Sequence, residues 1–206
     1  MSSKRAWSKP VTPELRDRMR SSADACYLNA SDLLTDAETL YKTSRWSRAA
    51  ALAVLAEEEF SKAFMLRICA YQNRWDSNVH EALRKHSSKQ GISQAMRDYL
   101  DLVVPNTLRV EELNKRALIP TQPGMFLSPK HLDPIMNRAR QTFAKPLRDY
   151  VKQDALYVNV DEHASIVSKP NATSQSAADE CIREARKFKA GVDLMSGDAS
   201  AVKAWR

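Results

Sequence analysis

The feature that most limits the fold of this chain is the segment ALAVLAEEEFSKAFMLRICA at residues 51–70. It reads as a helix apolar almost all the way round, and therefore as a buried one, yet Glu57, Glu58, Glu59 and Lys62 stand at its middle. A charge withdrawn from water is costly unless it meets an opposite charge and has its hydrogen bonds satisfied. One stripe of the helix is Leu52, Ala56, Glu59, Ala63, Leu66 and Ala70, which puts Glu59 inside an apolar face. The next is Ala51, Leu55, Glu58, Lys62, Met65 and Cys69, with Glu58 one turn before Lys62 in the favourable order. Any fold for this chain has to supply these charges with partners.

The neighbouring segments are helical too. Thr12 as a cap, Pro13 at the first helical position and Glu14 in the first turn open a helix. Leu15, Met19, Cys26, Leu33, Ala37 and Leu40 carry it as an amphipathic stripe to about Tyr41. Ser44 is the expected cap of the second helix, which runs to about Asn73, and the two should pack as an antiparallel hairpin. NVHEALRKHSSKQ and SQAMRDYLDLVV add further helical turns, and prolines at 105, 120, 123, 129 and 134 mark an irregular connection. A helix starts near Asp133 and is broken or kinked at Pro146; ALYVNVDE is a brief extended segment. After the turn-rich SKPNATSQS, Ala177, Cys181, Ala185, Phe188 and Val192 define a last amphipathic helix. With 4 Gly in 206 residues, the class expected is all-α. The architecture is an antiparallel helical bundle: a flexible basic arm over 1–11, one domain over 12–195 and a tail over 196–206.

Composition narrows the chemistry. Lys and Arg number 32 against 25 Asp and Glu, a formal charge of +7 that suits either a solvated basic surface or an encounter with nucleic acid. The 3 cysteines are far apart and form no zinc pattern with the 4 histidines, so no metal or other cofactor is expected. MSSKRAWSKP has no apolar signal core, and the longest apolar run, Ala49 to Ala56, is too short for a bilayer; a cytoplasmic protein without membrane partners is expected. Phosphate-loop, nucleophile-elbow and zinc-protease signatures are missing. Catalysis would then fall to helix-borne His, Lys, Arg and Glu. Arg84, His86 and Lys89 lie within one and a half turns, where an imidazole beside cations serves as acid or base, or where three charged residues simply form a solvated face.

Three separated segments resemble one family, the AbiV-like abortive-infection proteins of the HEPN superfamily. ALAVLAEEEFSKA is similar to its second-helix pattern, with Glu58, Glu59 and Lys62 at the motif positions and Glu57 where the family usually has an apolar residue. Trp75 followed by His86 and Lys89 resembles an aromatic-led segment ending in His-x-x-Lys, with Ser87 where a second Lys often follows the His. KQDALYV, from Lys152 to Val158, is similar to a third element. The resemblance implies a HEPN-like bundle, commonly a homodimer, acting in anti-phage defence. Many HEPN proteins are metal-independent ribonucleases with an Arg and a His four to six residues apart; here Arg74 and His80 have that spacing, with Trp75 after the Arg where a polar residue is common.

The charges of the second helix then have two readings. They form a buried ionic latch, with Arg84, His86 or Lys89 as partners. Alternatively they line an RNA cleft in which His86, Lys89, Glu59 and Lys62 are catalytic and Arg84, Lys85 and Arg74 bind RNA. On the second reading the chain is an abortive-infection endoribonuclease that halts growth or translation. On the first it is a non-catalytic interaction module, triggered by or binding a phage-encoded activator protein.

Overall fold

A computed structural model of the chain describes residues 8–84, 91–94, 96–97, 151–152, 155–156, 159–160, 162–163, 166–168 and 173–196. The architecture is all-α. Helix α1 spans Pro13–Lys42, α2 Trp46–Tyr71, α3 Ser77–Arg84 and α4 Gln175–Met195. Residues 91–94, 96–97, 151–152 and 155–156 are also helical. A short antiparallel pair, β1 at Asn159–Val160 and β2 at Ile166–Ser168, is the only sheet among the described residues. Its register sets Asn159 opposite Ser168 and Val160 opposite Ile166. Of the expected extended segment, Asn159 and Val160 are a strand, whereas Ala155 and Leu156 are helical. The Pro-rich connection at 105–134 and the expected break at Pro146 lie outside the described residues.

The helix ends follow from local chemistry. Thr12 accepts a hydrogen bond from the Leu15 N–H and Ser174 one from the Ala177 N–H, so α1 and α4 both start on a hydroxyl cap. At the other end of α1 the Arg45 N–H bonds the Leu40 carbonyl at 2.9 Å and the Ser44 N–H bonds that of Tyr41 at 3.0 Å. That is a Schellman closure, which needs a left-handed residue after the C-cap; Ser44 takes it, with φ 60°. Ser44 is consequently not the cap of α2: the capping position is Arg45, which offers no side-chain hydrogen bond. The same closure ends α2, where the Arg74 N–H bonds the Cys69 carbonyl and Asn73 stands at φ 52°.

Helix α2 is the axis of the fold. Buried residues make up 18 of its 26, covered on one side by α1 and on another by α4, which touches α1 less. Alanine sets the packing. On α1 the residues Ala23, Ala30 and Ala37, and on α2 Ala49, Ala56, Ala63 and Ala70, recur every seventh position, and all are within the core at 0–2% exposure. A methyl side chain lets helices approach closely, so the alanines occupy the line of contact while larger groups flank it. This shifts the buried face of α1 from the expected one: Met19, Ala23, Ala30, Leu34 and Ala37 are buried, whereas Leu15, Cys26, Leu33 and Leu40 are partly covered. Phe60, Phe64, Met65, Ile68 and Phe188 fill the remaining space, each fully buried and contributing about 1.5–3 kcal/mol.

Most of α2 is thus covered within one chain, while Leu52, Leu55, Glu59 and Lys62 stay half-buried. Arg67 ties the three long helices together by pairing with Asp24 of α1 at 3.1 Å and donating to the Val192 carbonyl of α4 at 3.0 Å. Among the described residues no helix is long and apolar enough to cross a membrane.

If the alanine line sets the α1–α2 spacing, Ala30→Leu should cost about 1–3 kcal/mol through overpacking, lowering the thermal midpoint by roughly 2–12 °C. Leu28→Ala, at a position 63% exposed, is the control and should move it little. Equal midpoints measured by circular dichroism would refute the packing argument.

Candidate functional site

Two groups of charged residues were candidates, and they lie in different environments. The first is the acidic run of α2. Successive residues on a helix turn by about 100°, so three adjacent carboxylates fan out in three directions. Each meets a cation. Glu57 lies 3.8 Å from Arg97, whose guanidinium also pairs with Glu184 of α4 at 3.0 Å and sits over the Phe188 ring. Glu58 accepts from Lys152 Nζ at 2.5 Å. Glu59 pairs with Lys62 on the same helix.

The order of burial differs from the sequence expectation. Glu57 and Glu58 are buried, at 3% exposure each, while Glu59 is half-buried. Glu59 and Lys62 share α2's less covered side with Leu52 and Leu55, so Lys62 pairs with Glu59 rather than Glu58. Glu58 instead turns inward to Lys152, a residue 94 positions away. Of the residues expected to form the latch, Glu58 is buried against Lys152 and Glu59 pairs with half-buried Lys62, while Glu57 meets Arg97; Arg84, an expected partner, is exposed at the end of α3. Lys85, His86 and Lys89 lie outside the described residues. Beneath the acidic run, Ser61 donates to the Glu57 carbonyl, so the 2.8 Å bond between Ser61 and Ser93 is donated by Ser93.

The second group is the corner between α2 and α3. The Schellman closure sets Arg74 just beyond the C-terminus of α2, where the helix dipole favours a cation. Asp76 is the hub of the corner. One carboxylate oxygen accepts the N–H groups of Asn78 and Val79 at 2.9 and 3.0 Å, capping α3; the other accepts Arg74 Nε at 2.9 Å. The Asp76 carbonyl accepts the His80 N–H at 3.0 Å. The His80 ring stands edge-to-face with that of Trp75, centroids 6.2 Å apart. Arg16 holds the corner from α1 through Asn73 at 2.9 Å. The arm is also held here, Lys9 donating its N–H to the Trp75 carbonyl and Ser8 bridging to Asp76.

Burial alone would raise the Asp76 carboxyl, but the hydrogen bonds from Arg74, Val79 and Asn78 and the Arg74 charge outweigh it and hold the group below the usual carboxylate range. A depressed folded-state value means the pair contributes stability above that usual range. It is lost as pH falls through the depressed value. Burial pushes the Cys69 thiol up to about 12, which rules it out as a nucleophile at neutral pH. Among the described residues no group of His, Cys, Asp and Glu could hold a metal ion.

The family model described as AbiV, of the HEPN proteins, matches residues 18–190. The chain belongs to the HEPN AbiV family. No curated protein and no solved structure matches it. Within the AbiV match, the second-helix element and the KQDALYV element are joined by the Glu58–Lys152 pair. The corner lies inside the same match. Reading the sequence missed Asp76, although an Asp directly before a polar first helical turn is a cap signal, and it missed Arg97, whose role depends on tertiary placement alone.

Breaking the buried pair of this AbiV-family chain should be costly: Glu58→Ala is expected to destabilise by about 3 kcal/mol, because Lys152 is left buried without that carboxylate. Glu59→Ala, on the less covered side, should cost about 1 kcal/mol or less. Replacing Glu58 and Lys152 together by Met should recover most of the loss. Denaturant midpoints for the four proteins decide it, and a Glu59 effect equal to that of Glu58 would overturn the assignment.

Proposed function

We propose that this AbiV-family chain is an abortive-infection protein that targets RNA as a metal-independent endoribonuclease, with Arg74 and His80 at the α2–α3 corner handling the phosphate. One observation carries the reading: the corner holds a partly exposed cation and an exposed imidazole six positions apart, Arg74 paired with Asp76 and His80 set against Trp75. Glu58 and Lys152 pair in the interior and Glu59 pairs with Lys62, so those charges serve the packing first. An imidazole changes charge near neutral pH and suits proton transfer to and from the ribose 2′-hydroxyl and the leaving oxygen. A guanidinium stabilises the charge that develops on phosphorus. The 2′-hydroxyl is the nucleophile, so the step needs no metal. The net charge of +7 favours encounter with the polyanion.

The rival placement is His86 and Lys89, with Glu59 and Lys62, as the catalytic group, and Arg84, Lys85 and Arg74 only as RNA-binding residues. The interaction-module reading draws on the internal pairing of the α2 charges, which gives them a role without catalysis. RNA cleavage in EDTA separates the three. The wild type should cleave, and Arg74→Ala and His80→Ala should each be slower by about a hundredfold or more with the fold intact. Loss of cleavage in His86→Ala and Lys89→Ala instead moves the site. Phage protection without any cleavage, unaffected by these substitutions, favours the module. The dimer is part of this proposal on the ground of family kinship, and light scattering should give about twice the 23.3 kDa of one chain.

A further inference from the structure

The corner contains one group that the proposed chemistry does not use. Asp76 does not point at a phosphate path as an acid or base, since its two oxygens are committed, one to the first N–H groups of α3 and the other to Arg74 Nε. It is mostly covered, its side chain 14% exposed against 29% for Arg74. A carboxylate in that position does two separable things. It caps the helix that carries His80, and it fixes the plane of the neighbouring guanidinium. The residue directly after Arg74 is Trp75, whose ring faces His80, so the anionic partner of the arginine comes one position later.

Resting on the reading of Arg74 and His80 as the phosphate-handling pair, we infer that Asp76 is a positioning residue that orients Arg74 for the transition state and sets its register with His80. The backbone of the corner is held independently of this carboxylate. The Arg74 N–H is bonded to Cys69, the His80 N–H to the Asp76 carbonyl, the Lys9 N–H to the Trp75 carbonyl, and the Asn73 side chain to Arg16. The carboxylate can therefore be altered while the corner remains.

Asp76→Asn makes the separation. Its amide oxygen still caps α3, and Asn is as good a capping residue as Asp, but its NH2 cannot accept from Arg74. The variant should lower the thermal midpoint by no more than a partly exposed ion pair is worth, stay folded at the assay temperature, and lose about tenfold or more in kcat for RNA cleavage in EDTA. Its KM should be unchanged or lower, because a negative charge near the polyanion has been removed. A variant that was merely less folded would lose apparent kcat at unchanged KM and show partial unfolding by circular dichroism at the assay temperature. In an Arg74→Ala background, Asp76→Asn should bring no further loss, since the group it orients is gone. Asp76→Ser, which keeps a capping oxygen, repeats the comparison if the Asn variant is unstable.

Wild-type kcat in Asp76→Asn, beside a defective Arg74→Ala, would overturn the inference while leaving the site reading in place. So would a loss that multiplies with that of Arg74→Ala. Wild-type cleavage in both Arg74→Ala and His80→Ala would overturn the site reading itself, and the inference with it.

Discussion

The ion pair between Glu58 and Lys152 is the constraint on which the rest of this structure depends. A carboxylate on the buried middle of α2 is tolerable only if a cation arrives from elsewhere in the fold, and Lys152 arrives from 94 positions downstream. The pair is not a strong source of net stability, because the desolvation of both ions offsets most of their attraction. Its effect lies in what it forbids. A register of α2 that moved Glu58 away from Lys152 would separate two opposite charges in the interior, so the pair selects one packing among the several that an alanine-rich helix permits. Glu57 adds a second such restriction through Arg97, which also reaches Glu184 on α4.

That selectivity matters because the hydrophobic pattern of α2 is weakly directional. Alanine recurs on several of its faces, and an apolar surface so evenly spread offers little preference between rotations about the helix axis. The alanine lines decide how near α1 can come; the charges decide which way α2 faces. The helix ends add further direction. Both turns out of the hairpin use a left-handed residue, Ser44 after α1 and Asn73 after α2, and the second delivers Arg74 to the end of the helix. The core and the corner are linked by this closure, since the carbonyl that receives the Arg74 N–H belongs to buried Cys69.

Much of this was legible in the chain. Thr12, Pro13 and Glu14 announced the start of α1, and the last helix followed from its apolar spacing, because capping and periodicity are local properties. The need of the α2 carboxylates for partners was equally plain. Which cations would serve was not, since Lys152 and Arg97 are brought to α2 only by the tertiary fold. The stripe that places Glu59 in an apolar face also carries Ala56, Ala63 and Ala70 of the contact line, but Leu52 and Glu59 stand at its margin. The true contact line follows the alanines and leaves Glu59 towards the side of Leu52 and Leu55. The hydroxyl of Ser44 fits a helix cap. A left-handed demand at the end of the preceding helix took precedence there, and such a demand shows in sequence mainly when glycine meets it.

Charge in this chain is consequently divided between two tasks by depth. In the interior each carboxylate is matched to a cation, and the geometry serves packing. At the α2–α3 corner the same type of pair, Arg74 with Asp76, lies where Arg74 is still partly exposed and His80 more so. A pair at that depth costs less in desolvation than Glu58 with Lys152, so the guanidinium can be held in one orientation without being sealed from a ligand. Preorganisation of this kind is what stabilising a developing charge requires: a donor already in place, fixed by a partner that is itself anchored to the backbone. The anchoring comes from α3, whose first N–H groups hold one oxygen of Asp76 while the other holds the arginine. The backbone closure on buried Cys69 carries the rigidity of the core to the corner, and the Asp76 carboxylate extends it to the arginine side chain.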